Sequence, residues 1–525
     1  MLWLLFVSTL ASTQAAPAPP DQNDEWVNER RVLDISIELS RDAVEALRKE
    51  PRQYVHGIVK EGRNQFADVA IHLKGSMGSF RPIDDKPGLT LNFSRFQPNR
   101  TFHGRTKVHL NNSVEDPTYL NEKLGSLVFS KAGIATPAVQ HAVVRVNGRR
   151  LGLYVMKEGF TREFLGRHFS DATGNLYDSD TAAQMSDDLD LEARAAGTGS
   201  DLNRLRELNR ISDSRQRWQE LERLVDVDQF LSFMAIEVMI CHRDGYSLAR
   251  NNYRLYHEPS QDRFIFLPHG MDQLFGRADF PWRPTIMAGL VAQVVMSTPQ
   301  GQQRYQERFG MMVTNIFNVQ ELTNTVDQLA PLLRPFVNKG EFQEAVDDLK
   351  RRIAGRKVFL LSELSRPAPR PVVFHNGSAS PATWVAVDPP DRGLLNQTNS
   401  PDGVASLHIA AGPVTATSWR LKVLLERGSY RFEGRLQTHR VMPLPYGRNK
   451  GARLRVSGNY NTDPGLQGTH PWTPLAVEFT VRADTEEIEL ICELRASGGE
   501  AWFDRNSLRL VQTEQRLPSK NVSER

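Results

Sequence analysis

The chain has 525 residues, too many for one compact core, so two or three domains are expected. Hydrophobic residues make up 40%, which excludes wholesale disorder. Lys and Arg number 65 against 62 Asp and Glu, and the formal net charge of +3 gives no bulk electrostatic case for a nucleic-acid binder.

Leu2 to Ala11 form a short apolar run, followed by Thr13-Gln14-Ala15 with small residues where a signal peptidase reads. Residues 1–15 are therefore expected to be a secretory signal, although the n-region carries no Lys or Arg. Residues 16–30 are polar and Pro-rich and read as a linker. No later stretch approaches the ~20 apolar residues that a membrane span requires, so no transmembrane span is expected in the mature chain. The two cysteines, Cys241 and Cys492, exclude a disulfide scaffold and a Cys-rich zinc site, and read as buried thiols.

A strand is expected at Arg31 to Leu39, then a helix from Arg41 to Lys49 capped by Ser40 and stopped by Pro51. Val69, Ile71 and Leu73 alternate as in a half-buried strand, and so do Leu89, Leu91 and Phe93. A helix is expected from Asp116-Pro117 to about Lys131, ended by Gly133. Asn147-Gly148 then joins two strands in a tight hairpin. The acidic stretch from Asp171 to Ser214 reads as a long excursion with a helical piece near Leu202 to Leu208. A two-part helix from Trp218 to Ile240 follows, then a hairpin over Asn252 to Leu267, then helices at Leu322 to Leu333 and Phe342 to Leu364. Residues 365–372 are a Pro-rich linker, and from 373 to 525 short strands alternate with turns, as in a β-sandwich or jelly roll.

The densest polar chemistry is His242-Arg243-Asp244-Gly245-Tyr246, directly after an apolar helix, with Asn251-Asn252-Tyr253 behind it. A hairpin then leads to Leu267-Pro268-His269-Gly270-Met271-Asp272. A helix, a loop carboxylate, a hairpin and a second carboxylate is the order in which protein kinases place a catalytic carboxylate and a metal ligand. The match to ordinary kinases is partial. Ala249 stands where an Asn is expected, and Gln273-Leu274 stands where Phe-Gly would follow Asp272. A glycosidase built on the same two carboxylates is a rival reading, but the asparagines beside Asp244 suit metal-phosphate chemistry better.

The ordered set of motifs resembles the CotH kinase-like family, the spore-coat protein H proteins. The resemblance is carried by Lys74-Gly-Ser-Met-Gly-Ser, Lys86 to Phe93, Leu110 to Pro117, Val146 to Tyr154 running to Glu158, Gly174 to Tyr177, and the three segments around Asp244, Asn251 and Asp272. It covers roughly Arg31 to Leu364. It implies an α+β chain, with an atypical protein-kinase-like domain over 31–364 followed by an all-β jelly-roll or β-sandwich domain. It further implies ATP with Mg2+ or Mn2+ and transfer to Ser or Thr of secreted or surface proteins. On that resemblance Asp244 is the catalytic carboxylate, while Asp272, Asn251 and Asn252 hold the metal. Lys74, Lys86, Glu122 and Glu158 would serve the nucleotide, with Glu122 pairing with Lys74 or Lys86. His242, Arg243 and His269 would be accessory, with His269 either standing in for a carboxylate at the metal or simply packed.

Two departures stand out. Many members have Trp-Asp-x-Asp where this chain has His269-Gly270-Met271-Asp272, one carboxylate fewer, and Lys74 stands where the family usually has Arg. The alternative is a pseudokinase-like scaffold that binds a protein, or a glycan through the C-terminal module. There Trp419, Tyr460, Trp472 and Trp502 are either a sugar-stacking face or core residues. The Pro-rich joint generates a test: limited proteolysis should cut between Leu364 and Val373 and leave two stable fragments. Absence of a cut there would remove the boundary.

Overall fold

The structure, a computed structural model, describes residues 31–178, 191–193, 200–283, 287–366, 370–445, 450–457 and 465–513 together with Trp26, apart from Met77 and Pro381. The expected signal and most of the linker, the acidic residues Asp180, Asp187, Asp188 and Asp190, and Tyr460 lie outside the described residues. The chain divides at Arg366/Pro367 into two compact units. Among the described residues no helix is long and apolar enough to cross a membrane.

The first unit opens with a closed seven-stranded barrel in the order β1-β2-β3-β4-β5-β7-β6. Its strands are β1 (Val32–Leu39), β2 (Val55–Glu61), β3 (Asn64–Lys74), β4 (Gly88–Asn92), β5 (Lys107–Asn111), β6 (Val139–Val146) and β7 (Arg149–Glu158). Strict alternation puts Leu33, Ile35, Ile37 and Leu39 of β1 inside with Val69, Ile71, Leu73, Leu89 and Leu91. Closure comes from the parallel pairing of β1 with β6, Val32 beside His141 and Ile37 beside Val146. The Asn147-Gly148 hairpin forms as expected, with Asn147 and Gly148 at φ 48° and 79°, the left-handed pair that such a turn requires. Helix α1 (Arg41–Lys49) is capped by Ser40, whose Oγ accepts from the Ala43 N–H at 3.1 Å.

Helix α2 (Asn121–Lys131) starts later than the Asp116-Pro117 signal suggests. The Asp116 carboxylate instead ties a turn, accepting from the N–H groups of Thr118 (3.0 Å) and Asn121 (2.9 Å). Leu120, Leu124, Val128 and Phe129 of this region pack into the helical core. Beyond the barrel come α3 (Arg162–His168), β8 (Leu176–Asp178), β9 (Leu191–Ala193), α4 (Ser200–Glu207), α5 (Ser214–Leu224) and α6 (Val227–Met239). The expected two-part helix is α5 and α6, broken because Asp213 and Asp226 each cap a separate start. The hairpin β10 (Tyr253–Glu258) and β11 (Arg263–Pro268) joins β8 and β9 in a four-stranded sheet. Helices α7 (Leu290–Met296), α8 (Pro299–Met311), α9 (Val319–Leu333) and α10 (Lys339–Leu364) complete the unit.

Within this unit α10 locks two loops. Arg356 is fully buried and donates to the carbonyls of Met239 (3.0 Å), Val238 (2.8 Å) and Ala278 (2.9 Å), and to that of Phe280. Arg352, one turn earlier, donates to the carbonyls of Leu274 (3.1 Å) and Phe275 (2.6 Å). The end of α6 and the segment after Asp272 are thus held by one helix.

The second unit is all strand among its described residues: β12 (Ser378–Ala379), β13 (Val385–Val387), β14 (Leu394–Asn399), β15 (Ala405–Ala410), β16 (Thr415–Pro443), β17 (Gly451–Val456), β18 (Gly468–Asp504) and β19 (Arg509–Gln512). The expected short strands Trp419 to Leu425 and Tyr430 to Leu436 merge into β16. The Gly428 region stays in the ladder, with Glu426 beside Thr485 and Gly428 beside Val481, and a bulge absorbs the break. Trp419 and Trp502 are buried, and Trp502 stacks on His408, so neither belongs to a sugar-stacking face. Trp472 is half-exposed, its indole N–H donating to Asp402 at 2.6 Å. Cys241 and Cys492 are both free and buried.

Replacing Arg356 by Met should leave four carbonyls, two of them in fully buried hydrogen bonds, without their donors and cost about 3–5 kcal/mol, read as a lowered melting temperature of the first unit. An unchanged melting curve would show that the clasp carries no stability.

Candidate functional site

The segment carrying Asp244 leaves α6 through Cys241, which takes a left-handed φ of 57°. Glu237, fully buried near the end of α6, anchors the far side of that loop. Its two carboxylate oxygens accept from successive backbone N–H groups, Tyr246 at 2.8 Å and Ser247 at 2.9 Å. Gly245 must be glycine here, since a Cβ would lie 2.2 Å from Glu237 Oε1. Burial pushes the Glu237 carboxyl up to about 7, against the pull of these hydrogen bonds. Asp244 itself is half-buried, and its Oδ2 accepts from the side-chain amides of Asn251 (2.9 Å) and Asn252 (2.8 Å). Asn252 also accepts the His269 N–H on its carbonyl at 3.1 Å. Its side-chain oxygen lies against Gly270 (φ 55°), where a Cβ would approach to 2.3 Å. His242 is buried, with Nε2 at 3.2 Å from the His269 carbonyl. The two sequence segments are therefore laced together.

Asp272 stands next to a buried ion pair. Lys157 Nζ at the end of β7 lies 2.7 Å from Glu122 Oε1 on α2, and both side chains are almost fully buried. The other Glu122 oxygen accepts the Met271 N–H at 2.9 Å, and Asn121 Nδ2 donates to the Asp272 carbonyl at 2.8 Å. A Cβ at Gly125 would meet Met271 Sδ at 2.7 Å, so this helix face is cut back to admit the Asp272 loop. Burial, seconded by the charge of Glu122, pushes the Asp272 carboxyl up to about 7. Lys74 at the end of β3 hydrogen-bonds Asn111, and burial and the Lys157 charge lower its ammonium to about 7. Burial also holds His109 and His269 well below the usual histidine value, hence neutral, with Arg254 and the two lysines adding to the effect.

The structure thus brings together Lys74, Glu122 and Asp272, and laces Asp244, Asn251 and Asn252 to the neighbouring segment. It corrects the expected pairing of Glu122 with Lys74 or Lys86, because the partner is Lys157. Lys86 lies elsewhere. Its ammonium donates to Tyr119 Oη at 3.0 Å, sits 5.0 Å and 5.2 Å from the ring centres of Tyr119 and Tyr154, and is lowered by burial to about 8. Glu158 is engaged by Arg167 and by Arg105 at 3.7 Å. Arg243 is exposed. His269 accepts from Lys157 at Nδ1 (3.0 Å) and has Arg254 at 3.4 Å from Nε2, the contacts of a packed histidine. Among the described residues no group of three or more His, Cys, Asp or Glu side chains is placed to hold a metal. The donors that remain fit a cation bound mainly through its own phosphate ligands. They are Asp272, a carboxylate raised by burial and by the charge of Glu122, and the amide oxygens near Asp244.

Sequence reading missed Lys157 and Glu237. Glu237 had a signal, a lone charge in the apolar run from Phe233 to Ile240, while Lys157 only ends the apolar run Leu153-Tyr154-Val155-Met156 beside a second charge, Glu158.

The family model described as "CotH kinase protein" matches residues 71–346, more than half of the chain. The chain belongs to this CotH family. Every residue of the Lys74–Glu122–Lys157–Asp272 cluster and of the Asp244 loop falls within the CotH region, whereas β1 and β2 precede it. Inner spore coat protein H of Bacillus subtilis (strain 168) is 24% identical over 308 residues, 54% of this chain and 81% of that protein. Invasin CotH2 of Rhizopus delemar is 25% identical over 272 residues, 45% of each chain. Among solved structures, a family 35 carbohydrate binding module from Clostridium thermocellum is 12% identical with a TM-score of 0.17, covering 25% of this chain and 92% of that one. The CBM22-1 xylan-binding domain of Paenibacillus barcinonensis Xyn10C also scores 0.17 at 12% identity, covering 26% and 92%. At those scores the likeness carries no argument.

Glu237 generates a pH prediction. Its folded-state pKa of about 7 exceeds the ordinary 4.5, so the folded chain binds the extra proton between those values. This contribution is fully present below about pH 4.5 and is lost as pH rises to about 7, on the order of 3 kcal/mol. Glu237→Gln should flatten that slope in urea titrations at pH 5 to 7, while weakening the fold at all pH values because its amide NH2 faces a backbone N–H. An unchanged slope would assign the titration to another group.

Proposed function

We propose that this CotH protein is an ATP-dependent phosphotransferase acting on Ser or Thr hydroxyls of exported or surface proteins. The observation that carries the reading is the buried Lys157–Glu122 pair locked to the loop of Asp272, alongside a second carboxylate, Asp244, fixed by two asparagines. Protein kinases use the same parts: a lysine on a β-lobe strand paired to a helix glutamate, a metal carboxylate, and a carboxylate that orients the acceptor. In this reading the barrel and the helical part of the first unit form an atypical kinase-like fold.

Bound ATP with Mg2+ or Mn2+ would supply the phosphoryl group and a cation to neutralise it. Asp272 would hold the cation and Lys74 would face phosphate oxygens. Each has a pKa near 7, so binding of opposite charge would draw both into their ionised forms. Asp244 would accept a hydrogen bond from the acceptor hydroxyl, with Asn251 and Asn252 fixing the carboxylate plane. Lys157, neutralised by Glu122, would position the Asp272 loop.

The alternative, a scaffold related to kinases that transfers nothing, is favoured by one observation: His269, at the position of a second carboxylate, is committed to Lys157. The names of the related coat protein and invasin support an extracytoplasmic or surface location. A glycan partner for the second unit would rest on Trp472.

Labelled ATP with Mg2+ or Mn2+ tests the reading. Transfer to the protein itself or to a generic acceptor is expected. Asp244→Asn should keep nucleotide binding and lose about 10²–10⁴-fold in transfer. Asp272→Ala should lose cation-dependent nucleotide binding as well. Absence of nucleotide binding by the parent with either cation would replace this reading by the scaffold.

A further inference from the structure

A cavity of about 110 Å³ opens beside the Asp244 loop, lined by Arg206, Asn209, Tyr246, Arg250, Tyr253 and Gln293 among others. Its floor is aromatic: the rings of Tyr246 and Tyr253 lie 4.7 Å apart at 62°, and the Tyr246 hydroxyl is fixed by the Val291 N–H at 2.9 Å. Its walls carry two guanidinium groups, from α4 and from the turn after Asp244, and among the described residues no lining residue is acidic.

Arg250 is the unusual member. It closes the helical turn Tyr246–Ala249 in a left-handed conformation, φ 58°, with its backbone N–H on the Tyr246 carbonyl at 2.9 Å. The side chain is half-buried and makes no side-chain hydrogen bond or ion pair with another described residue. Its positive charge acts on both floor phenols, opposing the rise that burial imposes on them. A partly desolvated guanidinium with no counter-charge among the described residues is costly, and a carboxylate or phosphate would relieve it in a charge-assisted, two-pronged contact. The volume is well under the roughly 300 Å³ at which small-molecule sites begin, so it suits one side chain and not a nucleotide. The place in the chain matters too. Arg250 precedes Asn251, which holds Asp244, and Tyr246 follows Asp244 by two positions, so the cavity and the Asp244 carboxylate are built on one loop.

We propose that this cavity receives an anionic side chain of the acceptor protein, a carboxylate or a phosphomonoester, and so sets acceptor specificity; the acceptor role rests on the phosphotransferase reading above. Arg250 is the specificity-determining residue and Arg206 its support.

The test measures binding to the full chain without nucleotide, so it decides the cavity even if no phosphate is ever transferred. Fluorescent Ser-containing peptides in a neutral Gln background would carry Glu, phosphoserine or Lys at single positions on either side of the Ser. Glu or phosphoserine at one position should tighten binding about five- to tenfold over Gln, and Lys should weaken it. The Glu and phosphoserine arms tell which anion is preferred. Arg250→Asn removes the charge yet keeps a residue that tolerates the left-handed region, and should bring the peptides within about twofold of one another. Arg206→Gln, on the surface of α4, should give a partial loss and carries the same comparison if the first variant misfolds. Equal affinity of the parent for Glu and Gln peptides, or a preference that survives in Arg250→Asn, would overturn the proposal. Phosphate transfer without charge preference would sink the cavity and leave the phosphotransferase reading standing.

Discussion

One carboxylate, Glu122, fixes the relation between three parts of the first unit. One of its oxygens takes the ammonium of Lys157 from the barrel, and the other takes the N–H of Met271 from the loop of Asp272. It sits in the first turn of α2, where the helix dipole favours a negative charge. Because Glu122 and Lys157 are nearly inaccessible to solvent, neither could lose its partner without stranding a buried charge, and the geometry is correspondingly rigid. Gly125, one turn further along α2, supplies the space into which Met271 packs. Strand, helix and loop are thereby held in a single register.

Charge around that carboxylate is divided unevenly. Lys157 is matched by Glu122, and Arg254 by Asp178. Lys74 is left with a neutral amide, and Asp272 has no ion-pair partner among the described residues. The histidines between them, His109 and His269, are kept neutral by burial and so do not compensate. The folded protein therefore holds one under-compensated cation and one under-compensated anion close enough to feel each other. A ligand carrying both signs would satisfy such a site better than an ion of either sign alone.

Much of the local structure was legible because it is set by near neighbours. Alternation gave β1 and β3, Ser40 gave the start of α1, and Asn147-Gly148 gave the barrel hairpin. Local reading went wrong where a side chain overrode it, as when the Asp116 carboxylate tied a turn and delayed α2, or when Gly428 was kept inside a long strand by its bulge. The carboxylates Asp244 and Asp272 were legible as a motif order. The partners of Lys157 and Arg356 were not, since Glu122 and the carbonyls at the end of α6 lie far away in sequence; those of Glu237, the Tyr246 and Ser247 amides, are near, but only the turn at Cys241 brings them back onto the helix. Closure of the barrel was equally out of reach, because no pattern within β1 names β6 as its neighbour.

The pairing of β1 with β6 has a consequence for how the chain reaches its native state. β2 can zip onto β1 once the connection through α1, residues 40–54, has formed, but the other edge of β1 stays open until residues beyond His141 are available, and the loop that must then close is far longer. During synthesis the barrel would persist as an open sheet with one bare apolar edge strand, the kind of edge that recruits other chains. The barrel thus ties the order of assembly to the arrival of β6, and a chain interrupted before Val146 would carry an adhesive surface that the complete one never shows.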